Sequence, residues 1–204
     1  MDLKKPLTTK ILSDPNHKFV LTLLYIYSME SFVFKEVNKA SREKDLSKIE
    51  YYGAYASALG YVIHAANAKR QDKLANKFTV FRGTKLNQQE ISKRFCEDKP
   101  INLLGFTSST LKRSKALSFT VDEDSAKVDD PEKIPVLVII EFTGKNQYFY
   151  LNSKEVTAFP VEKEVLLQDG IEYKLMGIST QAEVIDFNGQ EFTKTVTVVR
   201  LKNK

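Results

Sequence analysis

Two glutamates separated by one residue, Glu162 and Glu164, stand directly before the apolar run Val-Leu-Leu. In an extended chain, residues two apart point to the same side, so both carboxylates are expected to face one space. Paired carboxylates suit the cleavage of a glycosidic bond, because its transition state resembles an oxocarbenium ion. Taken alone, such a pair is more often the solvated start of a strand.

Two further motifs carry groups that suit a nucleotide. Arg82 and Gly83 follow the short β-rich run Phe78 to Phe81. A guanidinium engages diphosphate oxygens two at a time, and glycine lets a flat ring approach the main chain closely. Four consecutive hydroxyl residues, 107–110, follow a second apolar run and can order a site by hydrogen bonds. Taken alone, these motifs are more often a surface turn and the edge of a strand.

The common signatures of nucleotide and metal sites are missing. The sequence contains no G-x-G-x-x-G, no G-x-x-x-x-G-K-[ST] and no H-E-x-x-H. The only histidines, His17 and His64, are far apart, and Cys96 is the single cysteine. We therefore expect no metal site and no internal disulfide, and the cysteine count favours a reducing compartment.

The first third of the chain has the pattern of helices. Asp14 and Pro15 predict a helix start, with Asp as the N-cap and Pro at the first helical position. A second helix is predicted over residues 55–73, although Gly60 weakens it. Apolar residues recur near the helical period in the first segment, at Val20, Leu23, Leu24, Tyr27, Phe34 and Val37.

Short β-rich runs dominate from about residue 77. We predict strands at 78–81, 101–106, 135–142, 148–151, 164–167, 171–178, 182–187 and 191–201. The run 135–142 is almost continuously apolar, so both of its faces are expected to be covered. Asn188-Gly189 predicts a hairpin between the last two strands. Helices followed by strands indicate an α+β fold, and the irregular segments 112–133 and 152–161 are candidates for functional loops.

Composition indicates one globular domain without a membrane span. The chain has 204 residues, 42% hydrophobic and 28% charged, with a net charge of +5. Basic and acidic residues interleave, so we expect a mixed solvated surface rather than a patch for nucleic acid. The longest apolar run, Phe19 to Tyr27, is shorter than the roughly 20 residues that span a bilayer. No signal peptide is predicted.

Together, Arg82, Ser108 and the pair Glu162 and Glu164 resemble the R-S-E class of ADP-ribosyltransferases. Glu-x-Glu directly before Val-Leu-Leu is similar to the arginine-specific mono-ADP-ribosyltransferases. The segments 24–28 and 34–38 look like the helical lead-in of the vertebrate ecto-enzymes, and Ala116-Leu117-Ser118-Phe119 resembles the A-x-x-F after the serine motif. The resemblance covers about residues 20–180.

The resemblance implies N-terminal helices followed by a split β-sandwich of two packed sheets, with the NAD cleft between them. It implies one catalytic domain over residues 1–204, with a helical part of about 1–76 and a β-rich part of about 77–204. The implied reaction transfers ADP-ribose from NAD, a co-substrate, to arginine side chains of a protein and releases nicotinamide. NAD hydrolysis, or transfer to another side chain or to nucleic acid, is the alternative. A non-catalytic interaction module is a third reading.

The same resemblance implies the residues that bind NAD. Arg82, with Thr84 beside it, would bind the phosphate and ribose region, and the Gly83 backbone would hold the nicotinamide carboxamide. Ser108 matches the first serine of the family's Ser-Thr-Ser and would brace the glutamate and the nicotinamide side. Phe119 would pack on the nicotinamide or close a loop over it. This chain reads Ser-Ser-Thr, which keeps a hydroxyl at every position.

The remaining roles concern catalysis and the acceptor. Glu164 would hydrogen-bond the ribose 2′-hydroxyl and stabilise the developing cation, and fixed charge of this kind is usually the largest catalytic contribution. Glu162 would orient and deprotonate the incoming guanidine, and position matters more than basicity because arginine has a pKa above about 12. The loop 152–161 would present the target, with Phe159 as a contact.

The expected partner is a target protein that carries the acceptor arginine. No membrane or nucleic acid partner is expected, and the chain is expected to act as a monomer. The paired cysteines of the ecto-enzymes are missing. We therefore expect an intracellular enzyme, or a toxin-like effector secreted into a host cell, rather than a disulfide-stabilised extracellular protein.

Overall fold

The computed structural model describes residues 9–29, 32–43, 45–69, 74–121, 132–143, 147–187 and 189–204. In these ranges helices fill the N-terminal part as far as Lys69, and strands dominate from Lys77 onward. The prediction of an α+β fold is confirmed. Residues 122–131 of the predicted irregular segment 112–133 lie outside the described residues, as do residues 70–73 of the second predicted helix.

The helices and strands have the following bounds. The α-helices are α1 Thr9–Leu12, α2 Lys18–Ser28, α3 Phe32–Glu43, α4 Ile49–Lys69, α5 Gln88–Arg94 and α6 Arg113–Ser118, and the 3₁₀ turns are η1 Leu46–Lys48 and η2 Pro160–Glu162. The strands are β1 Lys77–Leu86, β2 Ile101–Asn102, β3 Thr107–Thr110, β4 Ile134–Thr143, β5 Tyr148–Leu151, β6 Glu164–Leu167, β7 Glu172–Phe187 and β8 Gln190–Asn203. None of the described helices has the length and apolar content needed to cross a bilayer.

The chain divides into two compact units, each made of several segments. The first contains the described parts of Met1–Leu74, Leu104–Thr107 and Lys145–Gly170. The second contains those of Ala75–Leu103, Ser108–Gly144 and Ile171–Lys204. The helices α1 to α4 and the pair β5 and β6 belong to the first unit, whereas the remaining strands, apart from the first residue of β3, belong to the second together with α5 and α6.

The core of the first unit forms where α2 and α4 pack with the hairpin of β5 and β6. The apolar residues of α2 recur at helical spacing, so one stripe of the helix is buried. β5 and β6 are antiparallel, with Tyr148 opposite Leu167 and Leu151 opposite Glu164. The buried residues of this core include Val20, Leu23, Leu24, Tyr27, Leu59, Val62, Ile63, Phe106, Phe149, Leu151 and Leu166.

Two predicted helix starts were wrong. α2 begins at Lys18, and its N-cap is His17, whose Nδ1 accepts a hydrogen bond from the Phe19 N–H at 3.1 Å. The Asp14 side chain instead accepts from the Asn16 N–H at 3.0 Å, which forms a local turn that competes with helix capping. α4 begins at Ile49, six residues before the predicted start. Packing overrides the cost of Gly60 in its interior, about 1 kcal/mol.

The second unit is built on a mixed sheet with the strand order β2-β7-β8-β4-β1-β3. β4 and β8 are parallel, whereas β1 is antiparallel to both β3 and β4, and β7 is antiparallel to both β2 and β8. Residues Val136 to Ile140 of β4 are all buried, as the continuous apolar run predicted. On one face, α6 covers a cluster made of Ala116, Leu117, Val121, Leu137, Ile139, Ile185, Val196 and Val198.

The hairpin of β7 and β8 confirms one prediction and corrects another. Phe187 lies opposite Gln190, so the strands are joined at the predicted Asn-Gly turn, where Gly189 has φ +80 and Asn188 lies outside the described residues. β7 is one continuous strand rather than two, with a bulge between Leu175 and Gly177. β8 offers an unbroken partner along the polar stretch 179–181, so the ladder continues there.

Candidate active site

Arg82 and Ser108 are joined in the second unit. β1 lies between β3 and β4, with Phe81 opposite Thr110 and Arg82 opposite Val138. This places Arg82 beside β3, where its Nη1 donates a hydrogen bond to the main-chain oxygen of Ser108 at 2.7 Å. Both residues are half-buried. The guanidinium is therefore held against the strand that carries the hydroxyl motif by a charge-assisted hydrogen bond.

Gly83 is required by the approach of α6 to β1. A Cβ at this position would lie 1.7 Å from the carbonyl oxygen of Ala116 and 3.2 Å from the Cβ of Phe119. No side chain fits into that space, because the backbone of α6 occupies it. The absence of a side chain thus serves the packing of α6, which differs from the predicted use of glycine to admit a flat ring on that side.

The strand pleat separates the motif residues of β1 into two sets. Successive side chains of a strand point to opposite faces. Phe81 packs against the cluster around α6, and Gly83 lies on the same face. Arg82 and Thr84 therefore leave the strand on the other face. Thr84 is half-buried and lies opposite Val136 of β4.

Phe119 follows α6 as its C-cap residue. Its N–H donates to the carbonyl oxygen of Ala116 at 3.2 Å, the same oxygen that lies over Gly83. The side chain is 45% exposed, and Nζ of Lys115 lies 4.7 Å from the ring centroid. An exposed aromatic ring is thereby fixed beside Gly83, and it can stack on a planar ligand.

Three of the four hydroxyl residues of β3 are buried and one is partly exposed. Thr107, Ser109 and Thr110 are buried, whereas Ser108 is partly exposed. Oγ1 of Thr110 accepts a hydrogen bond from the Lys112 N–H at 2.9 Å, immediately before α6 begins. The motif therefore positions the start of α6 as well as Ser108.

The N-terminus of α6 is held by an ion pair that the sequence did not reveal. Nη1 of Arg113 donates to Oε2 of Glu183 at 2.6 Å, and Nη2 donates to Oε1, which also accepts from Nε2 of Gln181. The bond with Arg113 lowers the pKa of Glu183 and raises that of Arg113. The two charges lie 70 residues apart in the chain, so no local pattern could have paired them.

The two glutamates lie in the first unit on different elements. Glu164 begins β6 and is only 8% exposed, and the three apolar residues after it are fully buried. Glu162 ends η2 and is half-buried. Lys163 between them is left-handed, with φ 53 and ψ 45. The chain is not extended at this point, so the predicted reason for placing both carboxylates on one side was wrong.

Phe159 stands at the start of η2 on a loop that is tied to the helices. The Ala158 N–H donates to Oγ of Ser28 at 3.1 Å, and the Phe159 N–H donates to Oγ1 of Thr157 at 3.0 Å. Phe159 is 43% exposed and Val161 is 74% exposed. The loop therefore presents two apolar side chains to solvent from a backbone that is fixed on α2.

A buried polar network holds the segment that leads into β3. Gly105, with φ +84, donates its N–H to Oδ1 of Asp169 at 2.9 Å. The Tyr27 hydroxyl donates to the carbonyl oxygen of Phe106 at 3.1 Å and accepts from Nδ2 of Asn38 at 2.9 Å. The network links this segment to Asp169, five residues after Glu164, and sequence reasoning missed it because its members are far apart in the chain.

The predicted site residues thus form two groups, one in each unit. The second unit carries Arg82, Gly83, Thr84, Ser108 and Phe119 on β1, β3 and the end of α6. The first unit carries Phe159, Glu162 and Glu164 on the segment from η2 to β6. Among the described residues, no group of three or more His, Cys, Asp or Glu side chains is arranged to hold a metal ion.

Comparison with known proteins identifies solved structures of similar fold. No family model matches the chain, and no curated protein matches it. The Vis toxin, an ADP-ribosyltransferase from Vibrio splendidus, has a TM-score of 0.59 at 15% identity, covering 98% of this chain and 88% of that one. C3stau2 from S. aureus, solved with NAD, has a TM-score of 0.56 at 17% identity, covering 96% and 92%.

Plx2a, an ADP-ribosyltransferase toxin from Paenibacillus larvae, has a TM-score of 0.57 at 17% identity, covering 90% of this chain and 85% of that one. At sequence identities this low, the similarity of the structures shows the fold alone. The chain therefore has the fold of the bacterial ADP-ribosyltransferase toxins.

Proposed function

We propose that the protein is a mono-ADP-ribosyltransferase, which transfers the ADP-ribose of NAD to an arginine side chain of a target protein and releases nicotinamide. The fold supports this function, because similar structures include ADP-ribosyltransferases over nearly the whole chain. The motif residues Arg82, Ser108 and Glu164 support it as well, since they follow the order of the R-S-E class.

The observation that carries the proposal is the buried carboxylate of Glu164. A glutamate is rarely as little as 8% exposed unless it has a specific partner or function. Here it begins a strand whose other residues are fully buried and apolar. A carboxylate fixed in such surroundings can stabilise positive charge on a ribose without first having to reorganise water.

The residues around α6 support a site for the nicotinamide end of NAD. Phe119 lies beside Gly83, with its Cβ 3.2 Å from the position that a Cβ on Gly83 would take, so an exposed aromatic ring is held next to β1. Arg82 is bonded to Ser108 and supplies the cation for the phosphate and ribose region, with Thr84 next on the same face. C3stau2, a protein of similar fold, has been solved with NAD.

The reaction breaks the bond between the ribose C1′ and the nicotinamide nitrogen. The bonding electron pair leaves with nicotinamide, and Glu164 hydrogen-bonds the 2′-hydroxyl and stabilises the positive charge left on the ribose. A guanidine nitrogen of the acceptor then bonds to C1′. Glu162 orients that guanidine and takes its proton.

The acceptor is proposed to be an arginine, presented by a target protein that docks on the exposed Phe159 and Val161. The structure of Vis in complex with agmatine has a TM-score of 0.60 with this chain. It supports a guanidine acceptor, because agmatine carries a guanidine group. Exposed apolar side chains on a fixed loop suit a protein surface better than a small molecule.

The proposal includes the architecture and setting that the resemblance implied. The protein is proposed to be a single catalytic domain over residues 1–204, with two packed sheets and the NAD cleft between them, and to act as a monomer. Because Plx2a and Vis are toxins, we extend the proposal to a toxin-like effector that acts inside a host cell.

A second candidate function, NAD hydrolysis or transfer to a non-arginine acceptor, is favoured by one observation. Lys163 is left-handed and η2 ends at Glu162, so the extended geometry that was expected to place Glu162 on the same side as Glu164 is absent. Water or another nucleophile could then take the place of arginine with the NAD-binding residues unchanged.

The proposal is tested with NAD labelled in its adenylate half, supplied together with agmatine and with a cell lysate. We expect one labelled adduct per nicotinamide released, and mass spectrometry should locate it on guanidine groups. Label found only as free ADP-ribose, or only on nucleic acid or non-arginine side chains, would support the second candidate. No nicotinamide release and no NAD binding at millimolar concentration would reject both functions.

A further inference from the structure

α6 is too short to hold its own position. It has six residues, and the N-cap residue Lys112 makes no side-chain hydrogen bond to it. Isolated helices of this length are unstable in water, because the cost of nucleation exceeds the few hydrogen bonds that are gained. Contacts outside the helix must therefore determine where it lies and where Phe119, the residue after it, is placed.

The C-terminal end of α6 is seated on β1. Ala116 and Leu117 are buried in the cluster of the second unit. The Ala116 carbonyl oxygen lies 1.7 Å from the position that a Cβ on Gly83 would take. The same oxygen accepts the hydrogen bond from Phe119. A shift of the helix along β1 would drive this carbonyl into the strand or lift Phe119 from it.

The N-terminal end is held by the pair of Arg113 and Glu183. The guanidinium binds the carboxylate through two parallel hydrogen bonds, one of 2.6 Å, which fix the orientation of Arg113 as well as its distance. Glu183 is buried on the long strand β7, and Gln181 two residues earlier donates to the same carboxylate. The Glu183 carboxylate is thus also held by a hydrogen bond within β7 that does not involve Arg113.

We infer that Arg113 and Glu183 are positioning residues for NAD, because together they set the register of α6 and so the distance of Phe119 from Gly83. This inference rests on the proposed function. Phe119 and Gly83 are the residues proposed to contact nicotinamide, whereas Arg113 and Glu183 act only through the helix. Loss of the pair should therefore weaken NAD binding and leave the later chemical steps largely intact.

The kinetic test compares Arg113→Gln and Glu183→Gln with the wild type. We expect the KM for NAD to rise on the order of tenfold with kcat nearly unchanged, because misplacement of a binding group mainly affects binding. The exchange of both charges, Arg113→Glu with Glu183→Arg, should restore most of the loss. The control is Arg94→Gln, which breaks the exposed pair of Arg94 and Glu90 and should leave the KM unchanged.

A structural test uses the absence of tryptophan from the chain. In a Phe119→Trp protein the single indole reports on the end of α6, and acrylamide should quench it more strongly once Arg113→Gln or Glu183→Gln is added. The milder variant Arg113→Lys, which keeps the charge and loses the paired hydrogen bonds, should show an intermediate effect. It also provides a folded comparison if Arg113→Gln does not fold.

The outcomes separate this inference from the function on which it rests. The positioning role is wrong if the wild type turns over NAD, Arg113→Gln and Glu183→Gln keep its KM, and neither substitution changes the quenching of the Phe119→Trp protein. If the wild type neither binds nor cleaves NAD, the proposed function fails and the role in NAD binding fails with it. A raised KM together with stronger quenching, both absent from Arg94→Gln, supports the inference.

Discussion

A methyl group at Gly83 would overlap the carbonyl oxygen of Ala116, which lies 1.7 Å from the Cβ position. The Gly83→Ala protein can fold only if α6 moves away from β1. We expect its free energy of unfolding to fall by roughly 2 kcal/mol or more, the range of overpacking in a core. Urea unfolding measures this change.

Gly60→Ala provides a matched control. The added Cβ would lie 3.9 Å from the ring of Phe106, which is ordinary contact, and Gly60 is inside α4. This variant should unfold at the same urea concentration as the wild type or be more stable by up to about 1 kcal/mol. If Gly83→Ala were as stable as Gly60→Ala, the seating of α6 on β1 would be wrong.

Glu162 is assigned to the acceptor, so its loss should separate transfer from hydrolysis. Glu162→Gln keeps the shape of the side chain and removes the charge that receives the proton. We expect transfer to agmatine to fall on the order of a hundredfold, while release of nicotinamide into water persists. The control is Glu191→Gln, an exposed residue of β8. Transfer at the wild-type rate would remove Glu162 from the acceptor site.

The roles of the motif residues stay predictions, and part of the geometry expected for them was wrong. Nη1 of Arg82 bonds to the main-chain oxygen of Ser108, although the two residues belong to separate motifs 26 positions apart in the sequence. The relation of Glu162 to Glu164 was misjudged because the left-handed conformation of Lys163, a non-glycine residue, has no reliable sequence signal. Arg113 and Glu183 were missed because their pairing is created only by the folded chain.

At the scale of the elements, the ion pair of Arg113 and Glu183 links α6 to β7. This pair should make the free energy of unfolding decrease at acid pH. Arg113 lowers the pKa of Glu183 in the folded protein, so the unfolded chain binds a proton at a higher pH than the folded one. The stabilisation is present above the ordinary glutamate pKa of about 4.3 and is lost as the pH falls through the lower folded value.

Urea unfolding at about pH 6 and about pH 3.5 tests this dependence. Glu183→Gln should lose stability at the higher pH and should show a smaller drop between the two. Glu172→Gln is the control, because Glu172 and its partner Lys204 are both exposed. A Glu183→Gln protein whose stability fell with acid as steeply as the wild type would contradict a contribution of this pair.

Elements were predicted well where a local apolar pattern defined them. β5 and β6 begin and end at the predicted residues, because each is a short buried run between polar loops. β7 was predicted as two strands, since its polar middle resembles a loop until β8 pairs with it. α6 lies in a segment expected to be irregular, because six residues show too little periodicity to predict a helix.

For the folded chain as a unit, NAD binding should raise the melting temperature. A ligand at about 100 times its Kd adds about 2.7 kcal/mol to stability, which corresponds to a rise of roughly 5–10 °C for a protein of this size. Arg82→Gln should lose most of this rise, and Arg94→Gln should retain it. Equal shifts in the two variants would contradict the role of Arg82 in binding NAD.

The central claim is that the buried carboxylate of Glu164 drives the cleavage of NAD. Wild type and Glu164→Gln are incubated with labelled NAD and agmatine, and labelled product and free nicotinamide are measured over time. The account predicts that Glu164→Gln remains folded and binds NAD, while both products form at least about a hundredfold more slowly. Formation of either product at the wild-type rate by Glu164→Gln would contradict it.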